Sequence, residues 1–383
     1  MKKKIMSLVM CIAFVLGGAL NTLAAVPETS QGKTETENVT GEVKVYSLSL
    51  ADAIKLAHER DPQYANLDLK IKDAEKQLAD AKRTKKDLEG KAIPVSQGLT
   101  TFAVQRGYYV NQAEISLESA KYEKEQTLAN SAYSITQKYY NVKLAESLVE
   151  TAENTYKLTT DNLENVKAQF ALGMVAQIDV NNAQYSVNQA KAMLEKNKRN
   201  LEIARSQFAI ALYIDEEDFI LNLTDNLDHD KFTTDVDADK KNAMQSRYDV
   251  YRLDSAISQA ELMLKVSRVF GTTSAEYSSS NLALTQCRTS NVNSKKSIAL
   301  LIDSSYYSIM NAEDELLLAE ESLSLAKQSY DIALAQYNLG LITNSQLTSA
   351  INNTKDAGIG LENAKLNYKL AVEKYKYEIS IGL

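Results

Sequence analysis

An all-α fold of two long antiparallel helical hairpins is predicted by three features of the sequence. Residues 133–211 recur, shifted by 167, at residues 300–378. Apolar residues flank the centre of each copy at intervals of seven, and each centre carries a Leu-Gly pair, Leu172-Gly173 and Leu339-Gly340. A seven-residue interval draws a narrow apolar seam along a helix, and a glycine just past a helix end supplies the left-handed cap at which the chain turns back. Only three prolines occur, Pro27, Pro62 and Pro94, so no proline after residue 94 breaks a helix.

The elements follow in chain order. Lys2, Lys3 and Lys4 precede an apolar run from Ile5 to Leu20 and the small-residue stretch Thr22-Leu23-Ala24-Ala25, so residues 1–24 read as an export signal. Ser7, Gly17 and Gly18 interrupt the run, and it is short for a membrane-spanning helix, which disfavours a retained anchor. Residues 25–46 are polar and lack a seam, as expected of a flexible linker. Ser49 with Asp52 forms the pattern of a capping box, and Asp61-Pro62 that of a cap followed by proline in the first turn of a helix.

A first helical repeat is expected over residues 47–225 and a second over 226–383. In the first, Val142, Val149, Tyr156, Leu163 and Phe170 alternate with Ala145, Ala152, Thr159 and Val166. After the tip at 171–179 the seam resumes with Val180, Val187, Leu194, Leu201 and Phe208. The second repeat places Ile309, Leu316, Leu323, Tyr330 and Tyr337 before its tip at 338–346, and Leu347, Leu361, Tyr368 and Tyr375 after it. Alanines hold most of the interleaved positions, which lets antiparallel helices approach closely. An upstream block also repeats, at a shift of 186, with Leu67, Ile71 and Leu78 matching Leu253, Ile257 and Leu264. Tyr213–Asn242 breaks the heptads, is rich in aspartate and reads as the connector between repeats.

Composition excludes several classes of function. Loss of the signal takes three lysines from a chain of net charge −7 and leaves about −10, which disfavours nucleic acid as a partner. Cys11 leaves with the signal, so Cys287 stays alone and no internal disulfide forms. Only His58 and His229 are present, both expected in solvent, and neither stands near a serine or cysteine motif, so no enzyme activity, cofactor or catalytic residue is expected. Asp235-Val236-Asp237-Ala238-Asp239 suggests a calcium loop, but Lys240 and Ser246 stand where its glycine and glutamate belong, and no metal site is expected. The 21 tyrosines fall largely on seams, where packing accounts for them.

The stretch SLSLADAIKLAHERDPQYANL (Ser47–Leu67), followed by two long hairpins with tips FALGMVAQIDV and YNLGLITNSQL, resembles the TolC-type outer membrane efflux protein family over residues 47–383. The resemblance implies a homotrimer whose hairpins close into a hollow α-barrel, continued by a β-barrel in the outer membrane. It implies tips that dock onto a periplasmic adaptor (membrane fusion) protein coupled to an inner-membrane pump. By position, the adaptor-docking residues are Leu172, Gly173, Met174 and Val175 in the first tip and Leu339, Gly340, Leu341 and Ile342 in the second. Tyr337 and Asp179 match positions that latch the closed tip, whereas Ile342 replaces an arginine, and Gln346 and Ser349 replace aspartates that ring the aperture. The family's membrane strands lie in inserts that here are Leu88–Asn111 and Val269–Ser294. Neither insert alternates over the ~9–11 residues that a spanning strand needs, so the β-barrel is expected to be truncated or absent and direct membrane insertion is not expected. The function implied is a passive conduit for efflux or secretion across the cell envelope, in the outer membrane or periplasm. The alternative is an exported structural coiled coil that tethers envelope layers.

Overall fold

The chain enters through a short strand, β1 (Lys44–Leu48), and its first helix, α1 (Leu50–Arg60), begins at the expected cap. Ser49 Oγ accepts from the Asp52 amide at 3.2 Å, and Asp52 Oδ2 accepts from the Ser49 amide at 3.4 Å. In this computed structural model, residues 44–94, 96, 98–214, 219–227 and 231–380 are described. The export signal, His229 and most of the linker lie outside them. The last residues of that linker, Lys44 to Tyr46, belong to β1 and are not a tether.

Asp61 Oδ1 accepts from the Gln63 amide at 2.9 Å, and the chain re-enters helix as α2 (Gln63–Asp87). Helix α3 (Gly98–Gln105) and helix α4 (Tyr108–Ala171) are separated at Gly107, which has φ 81°. Helix α5 (Gln177–Ala211) returns along α4. Strand β2 (Phe219–Leu223) then pairs in parallel with β1, from Lys44 opposite Phe219 to Leu48 opposite Leu223. The second half comprises α6 (Val236–Ser246), α7 (Tyr248–Ser267), a 3-10 turn at Arg268–Phe270, α8 (Ala275–Asn338) and α9 (Asn344–Ser380).

Helices α4 and α8 are each 64 residues long, roughly 95 Å at 1.5 Å per residue, and α8 starts and stops 167 residues after α4. Helix α9 likewise starts 167 residues after α5. The bounds of α6 are those of α1 shifted by 186, with Asp235 at the cap position of Ser49. The supposed connector Tyr213–Asn242 is therefore structured over much of its length, holding β2 and the start of α6. Its aspartates serve the helix start. Asp235 Oδ1 accepts from the amides of Asp237 and Ala238, and Asp239 accepts from Thr234 and from the Tyr375 hydroxyl at 2.8 Å.

Among the described residues neither insert holds a strand: Leu88–Asn111 contains α3, and most of Val269–Ser294 is the beginning of α8. The serines and threonines of that second stretch stay helical by turning their hydroxyls onto carbonyls one turn back, as in Ser280 to Glu276 and Thr285 to Asn281. His58, expected in solvent, is half-buried, with Nε2 3.2 Å from the Leu128 carbonyl oxygen and its ring edge against Tyr64.

Packing ties the two halves together. Helix α4 packs on α5 and α8 on α9, and α4 also packs along α9, which joins the hairpins side by side. One core surrounds Tyr139, whose hydroxyl donates to the Leu48 carbonyl and accepts from the Asp225 amide. Another surrounds Tyr368 and Tyr375, a third gathers both tips, and a fourth gathers Phe102, Val266 and Phe270 at the opposite end. Each fully buried large side chain contributes about 1.5–3 kcal/mol, which holds helices this long in register where propensity alone is weak.

Candidate docking site at the hairpin tips

Both tips turn through the same hydrogen-bonded cap. At the first, the Gly173 amide donates to Phe170 and the Met174 amide to Gln169, each at 2.9 Å; at the second, Gly340 donates to Tyr337 and Leu341 to Gln336, each at 2.9 Å. This is a Schellman motif, and it requires a left-handed residue at the glycine, where φ is 72° and 73°. Nothing lies within 4 Å of where a Cβ would sit on either glycine, so backbone conformation alone demands glycine there.

The return helices start differently. Asp179 Oδ2 accepts from the Ala176 amide at 3.1 Å, but Ala176 has no hydroxyl to reciprocate. In the second tip, Gln346 Oε1 accepts from the Thr343 amide at 2.8 Å and Thr343 Oγ1 accepts from the Gln346 amide at 3.4 Å, a complete box. Gln346 and Asp179 thus occupy matching positions and both cap a helix. Ser349 is exposed and bonds only within its own helix, to the Ser345 carbonyl oxygen.

Beyond the glycines the tips are apolar and open to solvent. Leu172 and Leu339 are each 75% exposed, Leu341 is 71% exposed, and Met174 is exposed beside them. Val175 and Ile342 point inward instead, half-buried against the tip core of Leu163, Val166, Tyr337 and Leu347. Tyr337 is buried there, and its hydroxyl donates to Gln169 Oε1 at 2.9 Å across the two hairpins. Burial first, and then the Asp179 carboxylate, push that hydroxyl above the ordinary phenol range. Phe170, the counterpart of Tyr337, is expected in the seam but is exposed and joins none of the described cores, whereas Tyr337 packs in the core that gathers both tips.

Sequence reasoning missed one further cross-hairpin link. Asn162 Nδ2 donates to Asn344 Oδ1 at 2.7 Å, with both residues buried and the Asn162 Oδ1 left without a partner. Asn162 falls off the heptad positions, so periodicity carries no signal for it.

No family model matches the chain, and no curated protein matches it in sequence. Solved structures do share its fold. CusC, described in terms of transmembrane channel formation, superposes with a TM-score of 0.67 at 12% identity, over 90% of this chain and 96% of that one. The outer membrane protein VceC from Vibrio cholerae gives 0.64 at 13% identity, over 87% and 96%. The CmeC outer membrane channel of Campylobacter jejuni gives 0.61 at 14% identity, over 94% of each chain. The architecture is therefore that of the TolC-type outer membrane channels, with the β part reduced among the described residues to the β1–β2 pair.

Proposed function

We propose that the chain is a passive conduit component of a multi-part efflux or secretion system, assembled as a homotrimeric ring whose tips dock onto a periplasmic adaptor coupled to an inner-membrane pump. One observation carries the ring. Helix α4 is covered by α9 within the chain, but among the described residues their repeat counterparts, α8 and α5, do not cover each other. Helix α8 exposes Leu318, Leu325 and Ile332 at intervals of seven, and α5 exposes Ile203 and Ile210. Ile210 is 73% exposed whereas its counterpart on α9, Tyr377, is 7% exposed. Laying α8 of one copy on α5 of the next would repeat the internal joint, and such head-to-tail contacts close into rings.

The grooves agree with that joint. A groove of 630 Å³ runs between α5 and α9 over a floor on α4 that includes Ala152, Thr155 and Thr159. A second, of 520 Å³, has Ala319, Ser322 and Ala326 as its floor and α9 as a wall, and in the ring a neighbouring copy would supply its other wall. The exposed apolar tips support docking, since apolar groups grouped on a surface commonly await a partner. Among the described residues no helix is long and apolar enough to cross a membrane, and the reading needs none.

End-on imaging of the purified oligomer, combined with its mass, tests the proposal. A hollow ring is the expected result. A stable monomer at micromolar concentration, or a solid bundle with no lumen, would overturn it, the latter in favour of a structural coiled coil.

A further inference from the structure

The end of the molecule opposite the tips has a charge sign of its own. Helix α2 runs antiparallel to α4, as shown by the pairs Lys124–Asp68, Lys70–Glu123 and Lys82–Glu114, and α7 to α8, as shown by Arg288–Glu261 and Lys295–Asp254. The ends of α2 and α7 therefore meet the beginnings of α4 and α8, and the core of Phe102, Ala103 and Val266 fuses both repeats there. Residues 83–94, 96, 98–109 and 265–277 make up this end. They hold seven cationic side chains, Arg83, Lys85, Lys86, Lys91, Arg106, Lys265 and Arg268, against three anionic ones, Asp87, Glu89 and Glu276. The end is thus net +4 in a chain of net charge −7.

These cations are also unspent. Six of the seven are exposed, and Lys85 is half-buried along Gly107. None of the seven takes part in an ion pair among the described residues, whereas Lys70, Lys82 and Lys124, further along α2 and α4, each pair with an acid on the neighbouring helix. Apolar and aromatic groups are interleaved with them: Tyr109 is exposed, and Ile93, Leu99 and Phe270 are half-exposed. A soluble polyanion would be served by charge alone. Cations mixed with tyrosine, phenylalanine and aliphatic side chains on one end face suit the headgroup layer of a bilayer, where charge meets phosphate and the apolar groups reach the acyl boundary.

We propose that this end is a docking surface for a membrane rich in anionic lipid headgroups, on which the helical rod stands without spanning it. Among the described residues the inserts hold helix α3 and the beginning of α8 and no spanning strand, and the contact is peripheral. A ring would present the patch once per copy on a single face, so that weak contacts add. The surface does not depend on conduction or on the adaptor, and it can be tested whether or not those hold.

The test is co-flotation of the signal-free protein with vesicles of zwitterionic lipid alone and with about 30% anionic phospholipid added. Binding is expected only to the anionic vesicles. It should be released at about 0.5 M salt, where screening is strong, and by carbonate extraction. Neutralising Lys86, Lys91, Arg106 and Arg268 together (each to Gln) should weaken partition at least roughly tenfold with helical content and oligomer mass unchanged. A control that neutralises the exposed Lys167, Lys191, Arg199 and Lys327 (each to Gln) makes the same net-charge change and should bind as the parent does. Equal binding to neutral vesicles, or an equal loss in the control, would overturn the proposal. So would soluble polyphosphate bound as tightly as the vesicles at equal phosphate, which would assign the surface to a wall polyanion. Resistance to carbonate would also overturn it, by showing a span.

Discussion

Tyr140 and Tyr307 stand at matching positions of α4 and α8, 167 residues apart, yet Tyr140 is 4% exposed and Tyr307 is 61% exposed. The local sequence is the same, Tyr-Tyr in each case, and so is the helix that carries it. What differs is the neighbour. Tyr140 is packed with Leu366 and Leu370 of α9, with the Lys369 ammonium 5.6 Å from its ring centre. Burial holds its hydroxyl well above the ordinary phenol range. Among the described residues nothing does this for Tyr307. The asymmetry is that of an interface used once internally and left open once.

Substituting glutamate at the two positions should therefore give opposite phenotypes. Tyr307→Glu should leave the melting temperature of the monomer within a few degrees of the parent while shifting the oligomer to monomer in sedimentation. Tyr140→Glu would bury a charge without a partner and should destabilise the fold by about 3 kcal/mol or more, seen as a lowered melting temperature. An intact ring with Tyr307→Glu would place the contact elsewhere.

The tips offer a second comparison. Replacing Gly173 and Gly340 by valine forces a β-branched residue into left-handed backbone, at a cost of about 1–2 kcal/mol at each site. Because no atom crowds either position, the change should act through loop shape alone. Circular dichroism should show helical content unchanged, and affinity for the adaptor should fall about tenfold or more, measured by surface-immobilised binding. Unchanged affinity in the double variant would remove the tips from the docking surface.

The hairpins were legible because their signals are local. Seven-residue spacing and glycines lacking any crowding neighbour carry information within one helix, and the Ser49–Asp52 cap does the same within one turn. The parallel β1–β2 pair was not legible. It joins segments 175 residues apart, and five-residue strands with mixed burial give no alternation to read. Helix α6 was hidden by its own cap, because Asp235 and its acidic neighbours look like cation ligands until the free amides of a helix start are there to receive them. Phe170 was misplaced for a further reason: a seam position says that a side chain needs a partner, not whether that partner lies in the same chain. The Asn162–Asn344 link lies off the seam and could come only from the fold.

Arg247 anchors the C-terminal end of α9 and yields the last prediction. It is 2% exposed at the junction of α6 and α7, paired through two nitrogens with Asp249 at 3.0 and 2.7 Å. It also donates to the Glu378 backbone carbonyl, and the Glu378 carboxylate lies 3.6 Å away, buried and without a hydrogen bond to Oε2. Removing the guanidinium alone would leave that carboxylate buried and unpaired, so Arg247→Met should destabilise by about 3–5 kcal/mol. Replacing both residues, Arg247→Met with Glu378→Met, removes the stranded charge along with its partner and should recover most of that loss. Urea unfolding of the two variants and the parent measures the difference. If the double variant is no more stable than Arg247→Met, the carboxylate is not the source of the cost, and the anchor acts through Asp249 and the backbone carbonyl instead.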